Sequence, residues 1–205
     1  RRICPLIGND EIKLCVDARG VMHDVAHVWP SHPPPRITWS GRRHDRRYDR
    51  YNSNLFEWGF VDLQWAAEAD LPPVTAWRQR LHPREGFVET ELRRGEMVER
   101  TISFVHLQRN VIVFRREVEN FPARTDRHLR AVWTLCQVGT DELPFRLRWR
   151  PGEPFDCGIA ADTEADGMRL YRGRATLLAD APADARAVDN RLELDVDLPA
   201  DSTYA

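Results

Sequence analysis

Lysine is almost missing from this chain: of its 30 basic residues only Lys13 is a lysine, and the rest are arginine. The skew reads as coding bias toward GC-rich codons rather than as a binding feature. Charge of either sign is not in excess. Against 32 acidic residues the net charge is −2, so no global field points to nucleic acid or to an anionic membrane surface. Cysteine is scarce and scattered. Cys4, Cys15, Cys136 and Cys157 form no CxxC pair, which removes the redox motif and gives a zinc site no support. Thiols buried or half-buried in a fold that needs no staple are the expectation, and they favour a reducing, cytoplasmic location. Long apolar runs are missing too. No stretch approaches the ~18 apolar residues of a membrane span, and no signal-peptide core is present. No motif asks for a cofactor. The chain opens on Arg1 instead of methionine, from which a missing original N-terminus is expected.

What remains is an ordinary globular composition of 42% hydrophobic and 30% charged residues. A chain of 205 residues is long enough for one large all-β domain, with about 70% of its unfolded surface buried.

The apolar residues recur with period two rather than 3.6. Ile12, Leu14 and Val16 alternate with Lys13 and Cys15, and Asp17-Ala18-Arg19-Gly20 follows as a turn. Val21 to Trp29 reads as the return strand of a hairpin. Pro30 to Pro35 must be a loop, because its prolines cannot join a ladder. A short strand over Arg36 to Ser40 and an arginine-rich surface loop over Gly41 to Tyr51 come next. Asn54 to Trp65 is aromatic and apolar on both faces, as a core strand would be. Strands are expected over Thr75 to Leu81, Phe87 to Arg93, Val98 to His106, Asn110 to Asn120 and Leu129 to Val138, with Gly95 in a turn. Phe145, Leu147 and Trp149 oppose Arg146, Arg148 and Arg150, and Leu192, Leu194, Val196 and Leu198 oppose Glu193, Asp195 and Asp197. Each set predicts a strand with one face in a core and one in water. Only Val61 to Ala69 could be a helix. Asp201 to Ala205 reads as the start of a further strand, so more chain is expected to follow. The sequence therefore predicts one antiparallel β-sandwich domain spanning 1–205, with at most one or two short helices.

Two blocks of residues carry a resemblance. Leu6-Ile7-Gly8-Asn9-Asp10, a strand, Asp17-Ala18-Arg19-Gly20, and then Val28-Trp29-Pro30 form the first. His106 to Arg116 (HLQRNVIVFRR) with Val118-Glu119-Asn120 forms the second. In their order and spacing they resemble the N-terminal domain of bacterial glucoamylase-like glycoside hydrolases. The resemblance covers about the first two-thirds of the chain. It implies a β-supersandwich of the galactose mutarotase-like kind, packed on an (α/α)6-barrel of the same polypeptide. In that family the barrel supplies the general acid and general base of an inverting hydrolysis. No catalytic residue is therefore carried onto this chain. Disaccharide phosphorylases share the same plan.

Other constellations favour bland readings. With so many acidic residues, carboxylate pairs such as Asp156 and Asp162 can always be drawn, and solvated strand faces explain most of them. His23, His27 and His32 cluster in sequence, but the first two are about 13 Å apart along a strand, too far to share a metal. His82, His106 and Glu117 are the candidates for an acid–base pair of the mutarotase type. Arg42 to Tyr51 interleaves arginine and tyrosine in the manner of a nucleic-acid site, but two aspartates dilute it. Trp133 and Trp149 sit on alternating strands and are expected in the core. Trp29 and Trp39 flank the proline loop, and Trp58 and Trp65 follow the basic loop. Among these, Trp29 and Trp58 are the candidates for stacking on a sugar ring. The function expected is that of an ancillary domain of an α-glycoside hydrolase, with a barrel domain and an oligosaccharide as partners. Its rivals are a stand-alone carbohydrate-binding module and a mutarotase-like sugar epimerase.

Overall fold

The computed structural model describes residues 5–9, 12–28, 55–57, 60–123, 125, 127–134, 146–166, 171–188 and 191–197. Trp29, Trp39, the proline and arginine-rich loops, Cys4, Cys136 and the final segment 198–205 lie outside the described residues. Within them the chain runs from strand to strand. The first half holds β1 (Leu6–Gly8), β2 (Ile12–Val16), β3 (Met22–Val28), β4 (Leu55–Glu57), β5 (Phe60–Trp65), β6 (Ala76–His82), β7 (Phe87–Arg94) and β8 (Met97–Val105). The second holds β9 (Ile112–Glu119), β10 (His128–Thr134), β11 (Arg146–Phe155), β12 (Gly158–Asp166), β13 (Tyr171–Leu178), β14 (Ala183–Val188) and β15 (Arg191–Asp197). The fold is all-β and its sheets are antiparallel.

The alternation that predicted the strands is the alternation that buries them. On β8 Met97, Glu99, Thr101, Ser103 and Val105 are buried while the residues between them are half-exposed. On β15 Leu192, Leu194 and Val196 are buried, as expected. Three readings need correction. The stretch from Asn54 to Trp65 is two strands, β4 and β5, rather than one. The helical option over Val61 to Ala69 is instead the end of β5 and a single 3-10 turn, Glu68–Asp70. Glu193, read as water-facing, is 8% exposed. Arg186 reaches its carboxylate at 2.6 Å.

An eight-stranded sheet in the order β1-β2-β3-β5-β10-β15-β14, with β4 beside β3, forms the base. A four-stranded meander β6-β7-β8-β9 and a three-stranded sheet β11-β12-β13 make up the rest of the described strands. Register places both smaller sheets on one face of the base. Met22 pairs with Val61, Val61 with Trp133, Trp133 with Leu192, and Leu192 with Ala187. Directly paired residues point to the same side of a sheet. Yet Met22 and Val61 belong to a core shared with Val88 and Val105 of the meander. Leu192 and Ala187 belong to a core shared with Ile159 and Leu177 of the three-stranded sheet. Trp133, an expected core residue, packs against both cores and bridges them.

The outward face of the meander carries a charge cluster. Glu91, 4% exposed, lies beneath Arg78 at 2.9 Å, Arg93 at 3.0 Å and Arg100 at 3.4 Å. Burial by itself raises this carboxyl, but hydrogen bonding to Arg93 and the charges of Arg78 and Arg93 outweigh it and hold it below its ordinary value of 4.5. A carboxyl lowered in the folded state binds fewer protons there than in the unfolded chain, so its contribution is full above 4.5 and is lost as the pH falls through the folded value. Urea midpoints measured between pH 3 and 6 should show the wild-type chain ahead of Glu91→Gln at pH 6. The gap should close as the pH drops below 4.5. A gap that stays constant with pH would show that the arginines do not act on the ionised form.

Candidate functional site

A concavity arises where two strands part. β3 touches β5 through a single pair, Met22 with Val61. Beyond that pair, residues 62–65 of β5 keep β10 on one side and have no strand on the other among the described residues. The turn that carries β2 into β3 fills part of the gap. The Asp17 carboxylate accepts hydrogen bonds from the backbone N–H of Arg19 at 2.8 Å and of Val21 at 3.1 Å. Gly20 adopts φ 83°, a left-handed conformation open to glycine at no steric cost. This turn docks on the meander, where the Gln79 amide donates to the Asp17 carbonyl at 2.6 Å. A cleft of about 540 Å³ remains between the turn, the freed edge of β5 and the first strands of the meander. That is within the range of about 300–1,000 Å³ seen for small-molecule sites.

The floor of the cleft is a buried ion network. Glu99 on β8 is 2% exposed. One of its carboxylate oxygens accepts from Arg94 Nε at 2.7 Å and the other from the indole N–H of Trp65 at 2.9 Å. Arg94 also donates to Glu68, and to the Pro72 carbonyl at 3.0 Å. Arg116 on β9 lies 3.6 Å from Glu99. It donates to Thr101 at 3.2 Å and to the Leu63 carbonyl at 3.0 Å, a backbone acceptor that the departure of β3 leaves open. Its guanidinium carbon stands 5.9 Å from the centre of the Trp65 ring. The two arginines differ. Burial pulls Arg116 below its ordinary value against the pull of Glu99, Asp62 and Glu68. Arg94 is likewise desolvated, but its direct bonds to Glu99 and Glu68 carry it above. Both keep their charge, since guanidinium does not deprotonate in proteins. Glu99 thus links Arg94, Arg116 and Trp65 in one network.

The rim is open. Trp77 on β6 is 59% exposed and Val74 just before it is 45% exposed. Arg19, Asp62 and Gln64 line the cleft with them, and the Gln64 amide donates to the Asp62 carboxylate at 2.9 Å. The arrangement is one aromatic surface facing a set of planar polar groups over a saturated floor. An exposed indole face beside planar polar groups can stack on an apolar surface and hydrogen-bond its edges. No protein-family model matches this chain, and no curated protein matches it either.

Set against this cleft, the residues singled out by sequence divide sharply. Trp29 lies outside the described residues, as do Trp58, His32 and the side chains of His23 and His27. Trp65 is in the floor. His82, His106 and Glu117 are not brought together. His82 belongs to the row of Phe87, Phe104 and Val113, whereas Glu117 pairs with Arg100. Those rows are four residues, or roughly 13 Å, apart, and His106 lies beyond the end of β8. Asp162 is exposed and paired with Arg174 at 3.0 Å, while Asp156 sits in the turn before β12, where its carbonyl accepts from Ala183 N–H at 2.9 Å. Among the described residues no group of three metal-ligating side chains assembles. Cys15 is buried and Cys157 is a half-buried free thiol.

Trp77, Arg94, Glu99 and Arg116 were not anticipated. Trp77-Arg78-Gln79-Arg80-Leu81 carried the signal for the first of them: an aromatic at an alternate position of a strand whose other face is arginine. For Glu99 the signal was fainter, a lone carboxylate in phase with Met97 and Val105 on an otherwise apolar-and-hydroxyl face.

Proposed function

We propose that this β-sandwich is an ancillary domain of a glucoamylase-like α-glycoside hydrolase. In this reading it supports an (α/α)6-barrel that supplies the catalytic carboxylates, and it contributes one wall to an oligosaccharide site. The observation that carries the reading is the meeting of the two resembling sequence blocks. The Asn9 side chain, in the turn between β1 and β2, donates to the carbonyls of His106 at 2.8 Å and Arg109 at 3.3 Å. The same side chain accepts from the Ile12 N–H at 2.7 Å. The asparagine of the first block thus holds the loop that opens the second, about a hundred residues away. Residues that resemble one family in both places are joined in one piece of architecture. The closed state of Glu99 also favours binding over acid–base work, because both of its oxygens already serve as acceptors.

The test is the intact mass of the polypeptide produced in its native cell, with activity assays on that product. The reading expects a product much longer than 205 residues, rich in helix, that hydrolyses α-glucosides. A phosphate requirement for turnover would move it to the phosphorylases. A product that ends near Ala205 and leaves α-glucosides intact would overturn it.

A further inference from the structure

We infer that the cleft between β5 and the meander is a binding site for a neutral oligosaccharide, with Trp77 as its stacking platform. The saccharide class rests on the functional reading above; the location and the neutrality of the ligand do not.

Trp77 is anomalous as a structural residue. It points to the inner side of the meander, in the row of Leu92 and Glu99, and yet it is 59% exposed. A tryptophan has one of the largest apolar surfaces in the chain, and leaving it in water forfeits burial worth roughly 25 cal/mol per Å². Its strand is an edge of the meander, with no described strand beside it on that side. The apolar residues beside it, Val74 and Leu92, extend the surface toward the floor.

The ligand that fits must have an apolar face and polar edges. Indole faces accept flat apolar faces, and one face of a pyranose ring carries mainly C–H groups while its edges carry hydroxyls. Charge decides between ligand classes. Arg19, Arg94 and Arg116 line the cleft along with Asp62, Glu68 and Glu99, so the two signs balance. Arg94, Arg116 and Glu99 are further committed to one another. An anionic ligand would find only Arg19 outside that network, with the Asp62 and Glu68 carboxylates beside it, and a cationic one would meet two buried guanidiniums. Hydroxyls need neither. They donate to carboxylates such as Glu68, which is 45% exposed, and accept from Arg19 and the Gln64 amide. The pre-formed floor lowers the ordering that binding requires, since its side chains are already fixed.

The experiment titrates the chain with maltoheptaose, cellohexaose, mannohexaose and an oligogalacturonate, read by tryptophan fluorescence and calorimetry. At least one neutral oligosaccharide should bind and shift the emission. Trp77→Ala should weaken that binding at least tenfold with an unchanged melting temperature, and Trp77→Phe should restore part of it. Protection of Trp77 from N-bromosuccinimide by the same sugar should follow. Unaltered binding by Trp77→Ala, binding of oligogalacturonate alone, or no binding of any probe would each overturn the inference. So would Trp77 shielded in the full-length polypeptide with no response to sugar, which would make the cleft a domain contact. The α-glucosidase assay on the full polypeptide is independent of all these outcomes, so the cleft can fail while the ancillary-domain reading stands.

Discussion

Glu99→Ala should lower the stability of the folded chain by about 3–5 kcal/mol, the cost of removing one partner of a buried ion pair. For a domain of this length that corresponds to a melting temperature depressed by roughly 10 °C. The size follows from what is stranded. Arg94 and Arg116 are 8% and 7% exposed, and without Glu99 they would lie side by side beneath the cleft. Arg94 would keep Glu68, which is half in water, but Arg116 pairs with no other carboxylate among the described residues. The Trp65 indole N–H would lose its acceptor as well. Glu99→Gln separates the contributions, because the amide oxygen can still accept one bond while the charge is gone; it should fall between the wild type and the alanine variant. A thermal scan of the three proteins is sufficient. If Glu99→Ala melts within 2 °C of the wild type, the network is not what holds β5 against the meander.

Gly158→Ala should cost about 3 kcal/mol, at the upper end for overpacking, and its damage should be local. Gly158 opens β12 opposite Leu178 of β13. A Cβ added there would lie 2.2 Å from the Leu177 carbonyl oxygen, 2.8 Å from Leu178 Cδ2 and 3.0 Å from Phe155 Cε2. The two side chains have room to swing, since Leu178 is 59% and Phe155 40% exposed. The carbonyl is part of the backbone and moves only if β12 and β13 separate. Hydrogen exchange should therefore quicken across β12 and β13 while β7 and β8 keep their protection. Equal loss of protection in all four strands would refute the local account. Gly95 makes the contrast: an added Cβ there meets open space, and only its φ of 64° sets a smaller cost, on the order of 1 kcal/mol.

The parts of this fold that could be read from sequence are those where large apolar residues alternate with charge. Leu192, Leu194 and Val196 announced β15, and all three are buried. The strands β12 to β14 were not announced, and the reason is residue size. Ala185 and Ala187, which alternate with Asp184 and Arg186, pack on the core of the three-stranded sheet. Alternating alanine and charge carries little apolar contrast, and alanine is depleted in strands. For β11 the alternation was read only from Phe145 to Arg150. The strand continues to Phe155, with its register shifted between Pro151 and Pro154, on the edge of its sheet, where proline is tolerated. The cleft was less legible still. Alternation places Glu99 and Glu193 on a face, but whether that face is wet depends on arginines that come from other strands. Arg94 arrives through the hairpin at Gly95 and Arg116 through the pairing with Thr101. Trp77 could be assigned to a strand, but its exposure depends on β6 being an edge, which is a property of sheet order and not of local pattern.

The sheet order also imposes a schedule on the chain. The meander from Ala76 to Glu119 consists of hairpins between successive strands, so each partner is available within a few residues of its neighbour. The base is different. β10 lies between β5, which precedes it by about sixty residues, and β15, which follows it by about as many. During synthesis β10 therefore waits with one edge unmatched until Arg191–Asp197 has left the ribosome. Local contacts close quickly and distant pairings slowly, so topology favours closure of the meander ahead of the base. β15 supplies the missing partner of β10, and with β14 it carries the three-stranded sheet.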